Sequence, residues 1–79
     1  MLDAAVVGQV IGTCREERNL SQEVVSGLAG IGRTHLSAIE RGMRRPTLDT
    51  FCKLAEAMNM RPSELMHRIE MALAKKEQL

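Results

Sequence analysis

Apolar residues along the chain recur at intervals of three and four, and no stretch alternates with period two over a useful length. Val7, Val10, Ile11 and Cys14 make one such stripe. Asp3 suits the N-cap of that helix, and Asn19 suits the left-handed position that ends it. Ser21 caps a second helix whose inner face is read as Val25, Leu28 and Ala29, and Gly30 breaks it. Gly32 opens a third helix, with Leu36 and Ile39 turned inward and Gly42 at its end. The run from Met43 to Pro46 is a loop, because the proline ring pushes Arg45 out of helical geometry. Thr47 caps a fourth helix carrying Leu48, Phe51, Leu54, Ala55 and Met58, closed at Asn59. Pro62 fits the first turn of a fifth helix, which runs to about Lys76. Five helices with short connectors predict an all-α fold.

At 79 residues the chain is read as one domain, with a core of about residues 4–60 and a C-terminal helix over about 62–77. A hydrophobic content of 44% supports one modest core. That core is aliphatic, since Phe51 is the lone aromatic residue, which argues against proteins that stack bases on aromatic platforms. Two cysteines, Cys14 and Cys52, make no disulfide framework and read as small core residues of a reduced compartment. With His35 and His67 they lack the paired spacing of a zinc site, so no metal or cofactor is expected. No nucleophile sits in a motif with a base, so no enzyme is expected. The apolar stretch from Ala4 to Cys14 is too short to span a membrane and lacks a basic leader. A cytoplasmic protein without membrane contact is the simplest expectation.

Charge is informative through its distribution. The net charge is only +1, yet residues 31–46 hold Arg33, Arg41, Arg44 and Arg45 against Glu40 alone. The second and third helices also meet the requirements of a helix-turn-helix: two short helices at a steep angle, joined by a tight turn that often contains glycine. Ala29 is small enough for close approach, Gly30 accepts positive φ, and Ile31 plugs the corner. The outward face of the third helix then carries Arg33, Thr34, Ser37 and Ala38. Periodicity alone leaves these as an ordinary solvated face.

The ordered series tips that balance. Gly8, Ile11, Arg15, Leu20-Ser21-Gln22, Ala29-Gly30, Arg33-Thr34, Leu36-Ser37, Ile39 to Gly42, Pro46-Thr47-Leu48, Leu54-Ala55 and Arg61 to Leu65 resemble the phage-repressor and Cro-type helix-turn-helix family, also called xenobiotic-response-element-like. The resemblance implies a lambda-repressor-like fold of five helices, with the helix-turn-helix at helices 2–3. It implies base contacts from Arg33, Thr34, Ser37 and Ala38, where arginine suits guanine and alanine the thymine methyl group. It implies phosphate contacts from Gln22, Arg41, Arg44 and Arg45, and a buried ion pair between Arg15 and Glu40. Val24, Gly27, Gly32 and Arg61 depart from the family pattern.

Leu65, Ile69 and Leu73 line up on the last helix, with Met66 and Ala72 beside them. Five short helices give little core for the outer part of this stripe to enter, so Met66, Ile69, Ala72 and Leu73 are expected at a homodimer interface. The functional expectation is a sequence-specific transcriptional regulator that binds double-stranded DNA at an inverted-repeat operator as a homodimer, with no small-molecule ligand indicated. The alternative is an adaptor that keeps the helical scaffold for protein interaction and does not read DNA.

Overall fold

Five helices cover the chain in the computed structural model, which describes residues 2–77. They are α1 (Ala4–Glu17), α2 (Gln22–Ala29), α3 (Arg33–Glu40), α4 (Leu48–Ala57) and α5 (Pro62–Glu77), and no strand occurs among the described residues. The fold is all-α, as the periodicity predicts.

The starts follow from side-chain capping of free N–H groups. Asp3 accepts from the amides of Ala5 (2.8 Å) and Val6 (3.4 Å), Ser21 from Val24, and Thr47 from Thr50. Arg61 has no acceptor to offer α5, but Glu64 reaches back and accepts from the Arg61 amide at 2.9 Å. The ends of α1 to α4 share one device. Asn19, Gly30, Gly42 and Asn59 take positive φ, from 55° to 78°. The next residue's amide then reaches back five positions: Leu20 to Arg15, Ile31 to Ser26, Met43 to Ala38 and Met60 to Ala55.

Ile11, Cys14, Val25, Leu36, Ile39, Leu54, Leu65 and Ile69 are fully buried at the centre. Burial pushes the Cys14 thiol pKa up, whereas Cys52 is only half-buried. Helix α5 packs on α1 and α4 and closes the core. An exposed Arg68–Glu17 pair at 3.0 Å and a Lys76–Asp3 pair also link α5 to the first helix region. The Arg68 hydrogen bond holds the Glu17 carboxyl below its ordinary pKa.

Three sequence expectations need correction. Ile69 has no exposed surface and belongs to the core of its own chain, so it is not free to meet a partner. Helix α5 lies close enough to α1 and α4 to bury two turns of its stripe rather than one. Leu28 is 68% exposed, because the inner face of α2 is centred on Val25, Ser26 and Ala29. Ser26 fits that face because its hydroxyl donates to the Glu23 carbonyl at 3.1 Å. Leu48 is 79% exposed and opens α4 without entering the core.

Gly27 sits inside α2 with open space where a Cβ would stand. Gly27→Ala therefore costs no contact and removes backbone freedom from the unfolded chain. It should stabilise by about 1 kcal/mol and raise Tm by about 4–8 °C in a circular-dichroism melt. A lowered Tm would contradict the open space at this position.

Candidate nucleic-acid interface

Helix α3 presents two unlike faces. Leu36 and Ile39 are fully buried and pin it to the core. Arg33, Thr34 and His35 are exposed, while Ser37 and Ala38 are half-buried at the margin. Gly32 is the N-cap and supplies no side-chain hydrogen bond, so the first amides of α3 stay free for an outside acceptor. The turn before it is tight because Gly30 takes φ 72° and the Ile31 amide bonds the Ser26 carbonyl at 3.0 Å. Ile31 packs half-buried against the core at that corner.

Two contacts set where α3 stands. The first is steric. A Cβ on Gly8 would lie 2.1 Å from the Ile39 carbonyl oxygen and 2.7 Å from that of Glu40. Helix α1 thus approaches the end of α3 closely enough to require glycine there. The second is ionic. Arg15 donates through Nε to Glu40 Oε2 at 2.8 Å and through Nη2 to Oε1 at 3.0 Å, and through Nη1 to the Leu20 carbonyl at 2.8 Å. The side chains are only 13% and 9% exposed. The Glu40 hydrogen bond raises the Arg15 pKa above its ordinary value. Gln22 Nε2 also donates to Glu40 Oε1 at 3.0 Å. One carboxylate therefore joins α1, the start of α2 and the end of α3.

The remaining site residues are spread along the following connector. Arg41 and Arg44 are exposed, and the Arg41 guanidinium folds back toward the Ser37 carbonyl at 3.4 Å. Arg45 donates to the Leu2 carbonyl at 2.6 Å, which ties the connector to the start of the chain. This link across 43 positions has no side-chain signature at Leu2 and was not foreseen. Neither was the Gln22–Glu40 bond, which leaves the second amide hydrogen of Gln22 for another acceptor. Met66, Ala72 and Leu73 lie half-buried along α5. No cluster of three or more metal-ligating side chains occurs among the described residues, and no described helix is long and apolar enough to cross a membrane.

Two short helices in contact across a tight glycine turn, an outward polar face on the second and an arginine-rich connector define a DNA-binding helix-turn-helix module. The chain belongs to the helix-turn-helix family of phage-repressor and Cro type: the family model described as Helix-turn-helix matches residues 11–65. It is 38% identical over 61 residues to the uncharacterized HTH-type transcriptional regulator y4dJ of Sinorhizobium fredii, covering 77% of this chain and 79% of that protein. The restriction-modification controller protein C.AhdI of Aeromonas hydrophila has a crystal structure that superposes with a TM-score of 0.77 at 35% identity, covering 82% of this chain and 98% of that one. The controller C.Esp1396I, solved as a tetramer with its natural 35 base-pair operator, has a TM-score of 0.85 over 94% of this chain and 97% of its own. At 20% identity that likeness is one of fold. These relatives are transcriptional regulators and controllers, not enzymes.

Proposed function

We propose that the chain is a sequence-specific transcriptional regulator that reads an inverted-repeat operator in cytoplasmic DNA as a homodimer. The observation that carries this reading is the division of α3: Leu36 and Ile39 are fully buried, while Arg33 and Thr34 stand exposed at its start. An α-helix held this way fits the major groove, where arginine bonds the O6 and N7 of guanine. Thr34, Ser37 and Ala38 complete the base-facing set. Arg41 and Arg44 grip phosphates, joined by Arg45 when it exchanges the Leu2 carbonyl for a phosphate oxygen. The free hydrogen of the Gln22 amide and the dipole of α2 favour a phosphate at that helix start. The operator complex of C.Esp1396I supports the reading by analogy of fold.

Two copies are proposed because one recognition helix touches few base pairs. A mismatch costs only about 1–3 kcal/mol, whereas twofold symmetry doubles the contacts at half-sites about 34 Å apart. Selection of bound fragments from random duplex DNA tests the whole reading. Enrichment of an inverted repeat is expected; an adaptor with no DNA function enriches nothing.

Two substitutions separate the roles of the arginines. Arg33→Ala should weaken the selected site by about 1–3 kcal/mol and flatten preference at one base position of each half-site. Arg44→Ala should weaken all duplexes alike and lower the slope of log affinity against log salt by about one per copy. Titrations on cognate and scrambled duplexes at several salt concentrations measure both. Equal losses on both duplexes from Arg33→Ala would refute direct base reading by that residue.

A further inference from the structure

Helices α1 and α5 run antiparallel. Asp3, at the start of α1, pairs with Lys76 near the end of α5, and Glu17, at the end of α1, pairs with Arg68 two turns earlier. An open groove of about 530 Å³ lies between them. Its floor is apolar: Val6 and Val10 from α1 and Ala72 from α5. Its α5 wall is cationic, built from Arg68, Lys75 and Lys76. Its α1 wall is the uncharged pair Gln9 and Thr13, both exposed, and no acid is among the described residues that line it. The lining residues recur at i, i+3, i+4, i+7 along α1 and at i, i+4, i+7, i+8 along α5. Two continuous stripes therefore face each other for about 11 Å, or two helical turns.

We infer that this groove is a docking site for an acidic amphipathic helix of a partner protein, seated on the apolar floor with its carboxylates against the α5 wall. Two parallel ridges of this length receive a third helix, whose own apolar residues recur at i, i+3, i+4 and i+7. Charge selects the occupant. Lys75 makes no ion pair among the described residues, and the Arg68–Glu17 and Lys76–Asp3 pairs are exposed. Exposed pairs contribute only about 0–1 kcal/mol, so both cations are open to exchange onto a partner's carboxylates. A second copy presenting the same face would set three cations against three. Duplex DNA offers phosphates but nothing to cover the valines of the floor. The groove also lies on a different face of α1 from Gly8 and Gly12, which meet the end of α3. Its occupant leaves the outward face of α3 open, so docking is independent of the proposed DNA contact.

Chemical-shift mapping on the isotope-labelled full chain tests this with a synthetic helix-forming peptide of about 15 residues, leucine at i, i+3, i+4 and i+7 and glutamate on both flanks. Saturable shifts are expected at the amides of Gln9, Thr13, Ala72 and Lys75, and none at Thr34 or Ser37. Lys75→Gln with Lys76→Gln removes two of the three cations without touching the core. The pair should weaken the peptide about 10-fold, with a thermal melt within a few degrees of wild type and an unchanged affinity for duplex DNA. A control peptide with alanine for every leucine should bind about 10-fold more weakly or worse. Equal binding by that control would mean that the face attracts anions by charge alone, and would overturn the inference. Shifts confined to α3, or no shift at millimolar peptide, would overturn it too. A non-specific duplex that moved Ala72 and Lys75 while the peptide did not would make the face a nucleic-acid surface instead.

Discussion

Gly8→Ala should destabilise the protein by on the order of 3 kcal/mol or more, and lower Tm by about 12 °C or more. The added methyl group would lie 2.1 Å from the Ile39 carbonyl oxygen, with the Glu40 carbonyl carbon and oxygen both within 2.9 Å. These are backbone atoms of a hydrogen-bonded helix, so no rotamer change relieves the overlap. Helix α1 must move off α3. That movement breaks the packing of Ile11 and Ile39 and stretches the Arg15–Glu40 pair one turn further along. A domain of this size has about 4–12 kcal/mol of stability in total, so the loss is a large share. Gly27→Ala makes the same chemical change in open space and is expected to act in the opposite direction. Thermal and urea melts of the two variants side by side measure the difference. A Gly8→Ala melt within a degree or two of wild type would mean that α1 and α3 do not approach as described.

The helices were legible because each carries its own start and stop chemistry. Asp3, Ser21 and Thr47 cap through their own side chains, and Asn19, Gly30, Gly42 and Asn59 sit at the left-handed positions that end four helices. Which apolar residue enters the core was less legible. Periodicity marked Leu28 and Ile69 as apolar but not the depth of the neighbouring helices, and it gave opposite errors at the two positions. On α2 the small Ser26 takes the inner place and Leu28 turns outward; on α5 the helix lies close and Ile69 turns inward. The candidate site divides similarly. Arg33 and Thr34 stand out from local helical geometry alone. The demand for glycine at position 8 and the meeting of Gln22 with Glu40 depend on elements far apart in the chain. The Arg15–Glu40 pair, 25 positions apart, entered the sequence reading only through the resemblance to a family. The Arg45–Leu2 bond uses a backbone carbonyl, which no residue type advertises.

Glu40→Ala should cost about 3 kcal/mol, because it removes one partner of a largely buried ion pair and leaves the other in place. The Arg15 guanidinium would lose two of its three hydrogen bonds, and the Gln22 amide would lose its acceptor. Glu40→Gln keeps one acceptor oxygen and the shape of the side chain, so its loss should be smaller. Replacing both partners by apolar residues, as in Arg15→Met with Glu40→Leu, should recover most of the stability, since neither then needs a counter-charge. Duplex binding should respond differently. In the double variant the Gln22 amide is no longer held, so its proposed phosphate contact stays lost although the fold returns. Denaturant melts and DNA titrations on the three variants separate the two effects. Full recovery of binding in the double variant would mean that the carboxylate serves stability alone. Recovery of stability without binding would mean that Glu40, which need not touch DNA, sets the donor at the start of α2 against the end of α3.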